Sequence, residues 1–304
     1  MKILLAVSGG IDSMYLANRR SELFPGAEFA AAHCNFGLRG DESDGDEEFV
    51  RGWCMQNGTE CFTTRFDTAS YASSRGISIE MAARELRYRW FAGLCKEKGY
   101  DAVAVAHNAN DNAETLMLNL LRGSGTRGLR GMAEKTVIEG ATVLRPMLET
   151  SREEILKWMK AGAKEWREDR TNSGNEYKRN KIRNVVFPVF KEINPSFLRT
   201  LGRDMEHFAK TDDIAEDYYM SLLPSIRRES ADGGYPVFDL KAIMARKHWE
   251  YLLWRVLEPY HLSEETFAKL TALLSSGRTI SGKKFESPTH VISIKRKLII
   301  IEDR

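Results

Sequence analysis

A parallel β-sheet flanked by helices, joined through a linking helix to a smaller and mostly helical second domain, is the α/β architecture that this sequence predicts. Three observations predict it. Short β-type runs alternate with longer helix-type stretches through the first half of the chain, the pattern of parallel strands with crossover helices. The first of these runs leads through two adjacent glycines directly into a helix. At 304 residues the chain also exceeds the usual size of one domain, so two are expected.

The β-type runs cover 3–7, 28–33, 60–66 and 102–106 and alternate with helices near Ser13, Glu47, Ile79 and Asn112. In such sheets ligands sit beyond the carboxyl ends of the strands. The glycine turn, His33, Asp67 and His107 fall at or just after those ends and are expected on one rim. A further β-type run at 141–144 precedes Arg145-Pro146. Ser151, followed by Glu153 and Glu154, then reads as the N-cap and acidic first turn of a helix through Ala161. From Asn194-Pro195 onward, Phe197, Leu198, Leu201, Met205, Phe208 and Ala209 recur at helical spacing toward Leu223-Pro224. The expected division is therefore 1–193, a linking helix at 194–223, and a second domain at 224–304. That domain combines helices near 240–257 and 264–274 with a β-type tail at 289–294 and 297–301.

The hydrophobic fraction of 42% supports real cores, and a net charge of +2 does not by itself point to nucleic acid. The charge is uneven, however. Asp41, Glu42, Asp44, Asp46, Glu47 and Glu48 crowd together as at a solvated helix start, whereas Lys178, Arg179, Lys181 and Arg183 occur with no acid between them. Cys34, Cys54, Cys61 and Cys95 form no Cys-x-x-Cys pair, which disfavours zinc and iron–sulfur centres. No apolar run approaches membrane-spanning length, so the expectation is a cytoplasmic protein with reduced thiols and no membrane contact.

Ser8-Gly9-Gly10-Ile11-Asp12-Ser13 carries the clearest chemistry. Two glycines let the backbone turn tightly and bring its N–H groups to an anion, and the helix that follows adds the positive end of its dipole. This is a phosphate cradle without the Walker lysine, which disfavours a Walker-type NTPase. Two decoys fail their context tests. The Gly-x-Gly-x-x-Gly at 123–128 follows a helix instead of a strand, and the near-Walker run at 277–284 has Lys284 where a hydroxyl is required and reads as a basic β-turn. His107, Asp111 and Glu114 stand at spacings of four and three. A helix starting there puts both carboxylates on one face with His107 at its entrance. Such a pair binds an ammonium and accepts its proton when the amine must become a nucleophile. An exposed acidic helix start is the plainer alternative.

The loop resembles that of the N-type, or PP-loop, ATP pyrophosphatases, a Rossmann-like fold that cleaves ATP between the α and β phosphates. Further segments extend the likeness: Ala32-His33-Cys34-Asn35-Phe36-Gly37-Leu38-Arg39-Gly40, Glu80-Met81-Ala82-Ala83-Arg84-Glu85-Leu86-Arg87-Tyr88, the Asp111-x-x-Glu114-Thr115 helix running to Arg122-Gly123, Leu144-Arg145-Pro146, and Glu168-Asp169-Arg170-Thr171-Asn172 through Arg179-Asn180-Lys181-Ile182-Arg183. In this order they resemble the signature segments of the tRNA(Ile) lysidine synthetases over roughly residues 1–200.

The resemblance implies a ligase that uses ATP to adenylate the wobble cytidine of an isoleucine tRNA with a CAU anticodon. It then attaches the ε-amine of L-lysine at C2, releasing AMP. Ser8 to Ser13, His33, Arg122 and Gly123 would hold ATP, with Asp12 positioning magnesium. Asp111 and Glu114, assisted by His107, would take the lysine ammonium, and Arg84 and Arg87 the nucleotide phosphate or adenylate. Arg145, Asp169, Asn172, Lys178, Arg179, Asn180 and Arg183 would face lysine and the anticodon, and residues 224–304 would bind tRNA. Two positions depart from the family pattern: Phe36 stands where a second His is usual and Asn110 where an Asp is usual. Some members carry a further C-terminal domain, and the sequence leaves open whether this chain is a short form. It also leaves the oligomeric state open, a homodimer included. The competing readings are a PP-loop tRNA sulfur-transfer enzyme, which needs reactive cysteines, an NAD or GMP synthetase, and a non-catalytic nucleotide-binding module.

Overall fold

The computed structural model describes residues 1–168, 178–229, 234–277 and 281–304. It divides into two units, Met1–Ala209 and Lys210–Arg304. The division falls inside one long helix, not at either end of the segment 194–223.

The first unit is built on a six-stranded sheet of order β3-β2-β1-β4-β6-β5. Along the chain come β1 (Lys2–Ala6), α1 (Ile11–Asn18), α2 (Arg20–Leu23), β2 (Glu28–Asn35), α3 (Asp41–Gln56), β3 (Glu60–Arg65), α4 (Thr68–Arg75), α5 (Ile79–Lys98), β4 (Ala102–Ala104), α6 (Ala109–Leu121), α7 (Thr126–Leu129), β5 (Lys135–Ile138), β6 (Ala141–Leu144) and α8 (Arg152–Ala161). Ile3, Leu4 and Leu5 are all fully buried, so β1 reads as a continuous apolar run, as a strand covered on both faces must. Ile3 and Leu5 pack with α1, α3 and α8 through Met14, Leu16, Val50, Trp53, Ile155 and Met159. Leu4 faces the other way, onto Tyr88, Phe91 and Leu94 of α5.

Strands β1 to β4 and β6 pair in parallel. β5 was not expected; it returns antiparallel to β6 through Glu139-Gly140, both with positive φ, as a type I′ hairpin. The chain steps from β1 outward to β2 and β3, then crosses back to β4 on the other side of β1. The crevice beyond β1 and β4 is thus the switch point where open α/β sheets take ligands.

After α8 come α9 (Lys178–Lys181), one π turn (Ile182–Val186), α10 (Phe187–Ile193) and α11 (Phe197–Ile226). Ile182, Phe187 and Phe197 pack on Ala113 and Leu118 of α6. This packing seats the π turn against α6.

The second unit contains β7 (Arg227–Arg228), β8 (Val237–Asp239), α12 (Leu240–Met244), α13 (Trp249–Leu257), α14 (Glu264–Ser275), β9 (Lys284–Glu286), β10 (His290–Lys295) and β11 (Leu298–Asp303). Helices predominate, as expected. The two tail strands form the middle of an antiparallel sheet of order β7-β8-β11-β10-β9. Its other strands are two or three residues long, too short for alternation to mark them. Leu252, Leu253, Ile292 and Ile299 lie at the centre of this unit's own core. Among the described residues no helix is long and apolar enough to cross a membrane.

Candidate active site

The cradle between β1 and α1 takes its shape from one glycine and two serines. Gly9 sits at φ +91, which an L side chain rarely adopts. The Ser13 hydroxyl accepts the Ser8 N–H at 3.1 Å and donates to the Gly10 carbonyl at 2.9 Å. Gly10 caps α1 with no side chain, so the first-turn N–H groups stay available to an anion. Ser8 and Ser13, expected as ligands, also brace the loop itself.

Asn108, just beyond β4, joins the cradle to the acidic helix. Its amide donates to Asp12 Oδ1 at 3.0 Å. Its backbone N–H donates to Asp111 Oδ2 at 3.1 Å, and its side-chain Oδ1 accepts the Asp111 N–H at 3.0 Å. This is a capping box, a local signal that a sequence can carry. Burial raises the pKa of Asp12, opposed by Arg152, whose guanidinium lies 3.9 Å away.

Glu114 is completely buried. Its Oε1 accepts Arg183 Nε at 2.6 Å, while the Oε2 atom has no partner among the described residues. Arg183 also reaches Asp111 Oδ1 at 3.3 Å. Burial pushes the Glu114 pKa up and Arg183 opposes it. The sequence places Arg183 toward lysine and the anticodon; in the structure it closes as a clasp over both carboxylates, the pair expected to hold lysine. A buried carboxylate without a cation would protonate, so the clasp preserves the charge of the pair.

A second group of side chains collects around Tyr88. The Arg84 and Arg87 guanidinium carbons stand 4.9 and 5.6 Å from its ring centroid. Arg145, buried at 7% exposure, donates to the Ala133 carbonyl at 2.7 Å. Arg87 Nε and Arg145 Nε are buried without partners among the described residues, as is His107 Nδ1. The His107 pKa is lowered to about 3, first by burial and then by Arg145, Arg87, Arg84 and Arg179. Burial and these cations favour the neutral imidazole at His107. Clustered guanidinium groups with open donors suit an anion.

A cavity of about 830 Å³, large enough for a nucleotide, opens beside the cradle. Ser8, His33, Phe36, Arg122, Lys178, Arg179 and Asn180 line it, so His33 and the basic segment share one space. Burial lowers the pKa of His33, whose Nδ1 lies 2.9 Å from the Val7 carbonyl. Phe36 stacks on Phe66 at 5.8 Å, with Arg87 at 6.0 Å from its ring. Cys34 also borders the cavity, and burial pushes its thiol up to about 12.

Other expected residues have structural work. Asp67, expected on the rim, caps α4 by accepting the Ser70 N–H at 3.0 Å. Asn110 accepts the Arg152 N–H at 3.0 Å and so ties α6 to the start of α8. Gly123 ends α6 at φ +80 behind Arg122. Asp169 and Asn172 lie outside the described residues, as does part of the 277–284 turn. Sequence reasoning missed Asn108, Arg152 and Tyr88. Only Asn108 had a local signal.

Residues 1–190 match the model of the PP-loop domain and residues 231–304 that of the TilS substrate binding domain. The chain is 36% identical over 301 residues to the tRNA(Ile)-lysidine synthase of Bacteroides thetaiotaomicron, covering 99% of this chain and 67% of that protein. It is 37% identical to that of Porphyromonas gingivalis (98% and 63%) and 43% identical to that of Chlorobaculum tepidum (73% and 66%). The chain thus spans about two thirds of the length of these relatives. The solved U34-tRNA thiolase NcsA of Methanococcus maripaludis shares the fold, with a TM-score of 0.57 at 18% identity over 69% of this chain and 72% of that one. A domain match over more than half of the sequence, with relatives of this identity along nearly all of it, leaves one assignment: the chain belongs to the tRNA(Ile)-lysidine synthase family.

Proposed function

We propose that the protein uses ATP to convert the wobble cytidine of an isoleucine tRNA with a CAU anticodon into lysidine. The cytidine O2 attacks the α-phosphorus, the bond to the bridging oxygen breaks, and pyrophosphate leaves into the Ser8 to Ser13 cradle. The ε-amine of L-lysine then attacks C2, the C2–O2 bond breaks, and AMP leaves. One observation carries this reading: Asn108 bonds both Asp12 of the cradle and Asp111 of the acid pair, so phosphate binding and amine activation share one site.

Lysine arrives as an ammonium and must lose a proton before it attacks. Both Asp111 oxygens are engaged, by Asn108 and Arg183, whereas Glu114 Oε2 has no partner among the described residues. Glu114 is therefore the base, with Arg183 holding its charge against burial and the neighbouring Asp111. The cluster of Arg84, Arg87 and Arg145 would balance the anionic adenylate. The apolar wall of the cavity, Phe36 and Ile79 among it, would take a ring. Among the described residues no group of three acidic, His or Cys side chains forms a resident metal site. Asp12 nevertheless fits a magnesium ion that enters with the nucleotide, since such ions use one or two carboxylates plus phosphate oxygens. That ion would screen the triphosphate charge. Cys34, the cysteine that borders the cavity, gives no support to a sulfur-transfer role there, because burial holds its thiol protonated.

The test is ATP-dependent incorporation of labelled lysine into an isoleucine tRNA transcript, with an elongator methionine tRNA and Glu114→Gln as controls. Incorporation into the isoleucine tRNA alone is expected. Glu114→Gln should lower lysine transfer by about 100-fold or more while pyrophosphate release persists. Equal loss of both steps would remove Glu114 as the base, and pyrophosphate release without incorporation would point to another nucleophile.

A further inference from the structure

The basic turn that the sequence offered only as a false Walker motif acquires neighbours in the fold. In the second unit β10 and β11 pair down to Lys295 opposite Leu298, which leaves Arg296 and Lys297 as a two-residue loop. Both have positive φ, 50 and 66, so this is a type I′ turn. That backbone suits Gly, Asn and Asp, and the same turn between β5 and β6 accordingly carries Gly140 in its second place. Here neither position holds such a residue. The loop keeps two long cations in a conformation that opposes them.

Residues 281–284 run alongside this tip. The Gly282 N–H donates to the Ile294 carbonyl at 2.7 Å, the Ile294 N–H to the Lys283 carbonyl at 3.1 Å, and Lys284 pairs with Ser293. Lys283, Lys284, Lys295, Arg296 and Lys297 are consequently gathered at one end of the sheet, and all five are exposed. Among the described residues none of the five has an ion-pair partner. Glu286, Glu302 and Asp303 pair with the opposite end of β10, at His290 and Val291. Asp239, the acid beside Leu298, is already bound by Arg228 at 2.6 Å.

We propose that this tip is a phosphate-gripping contact for the backbone of an RNA substrate, an inference that rests on the reading of the substrate as tRNA. The chemistry fits a polyanion read by charge and spacing. Cations without interleaved aromatic residues grip phosphates and offer no platform on which bases stack, and with no apolar residue among the five the tip lacks the anchor of a membrane-inserting surface. The strained turn argues that the charges are retained for a ligand, because an Asn-Gly pair would serve the fold better.

The double variant Arg296→Asn/Lys297→Gly separates the two roles. It should raise the melting temperature, by roughly 2–5 °C, because the turn is relieved. It should at the same time weaken binding of a tRNA(Ile) transcript and lower the slope of log Kd against log salt by about 1 for each contacting cation removed. Lys283→Gln/Lys284→Gln should lower the slope again without moving the melting temperature. Wild-type protein that binds the transcript with the same slope as both variants would overturn the tip assignment alone. Wild-type protein that binds no RNA would overturn the substrate reading together with it. A lower melting temperature in the Asn-Gly variant would overturn the strain argument, and loss of polyglutamate binding with RNA binding unchanged would overturn the choice of partner.

Discussion

At the scale of single residues, the site is governed by which charges are neutralised and which are left open. Glu114 has one oxygen clasped and one without a partner among the described residues, and His107 is kept unprotonated by burial and by four arginines. The second fact sets a pH dependence. The unfolded chain takes up a proton at His107 near its ordinary value of 6.5, whereas the folded protein refuses it until about 3. Folding therefore loses stability from this group as the pH falls through that window, by about 1.4 kcal/mol per pH unit. His107→Gln should flatten the acid limb by that slope in urea titrations between pH 6 and 4. An unchanged limb would mean that the imidazole is protonated in the folded protein. His107 was legible as a site residue from its place after a strand, but its neutral state was not, because the arginines that enforce it come from α5, the residue after β6, and α9.

At the scale of elements, the cradle is a property of one turn. A Cβ on Gly9 would meet Phe49, Val50 and the Asp46 carbonyl oxygen at ordinary contact distances, 3.5, 3.7 and 3.8 Å, so the obstacle to a side chain there is the backbone angle, not space. Gly9→Ala should cost about 1–2 kcal/mol of stability. It should also weaken ATP binding, since the anion-facing N–H groups turn away when φ relaxes. Calorimetric titration with a non-hydrolysable nucleotide checks this, and an unaltered affinity would separate the turn from phosphate recognition. The cradle and the acidic face of α6 could be read from the sequence because both depend on neighbours within a few positions. The clasp could not. Arg183 meets Glu114 across 69 positions and Asp111 across 72, and its aim depends on a π turn whose sequence, Ile182-Arg183-Asn184-Val185-Val186, carries no helical or strand alternation to announce it. Such turns recur at functional positions in helices.

At the scale of the whole molecule, each unit carries its own core, one around the parallel sheet and one around the antiparallel sheet. Leu252 is fully buried in the second. Leu252→Ala should destabilise that unit by about 2–5 kcal/mol, while nucleotide binding by the first unit persists. Calorimetry of the full chain with and without ATP reads both effects, and a matching fall in nucleotide affinity would show that the two cores are not independent.

The sequence by itself determined the layered α/β plan, the phosphate turn, the carboxylate pair and the family, because each is written in local spacing or in ordered motifs. Tertiary structure alone decided that Arg183 serves the acids, that Asp67 and Asn110 serve helix ends, that β5 reverses direction, and that Lys283 and Arg296 share one tip. These depend on partners brought together from distant positions. Side-chain type limits which partners a residue accepts, but only the folded chain places one within reach.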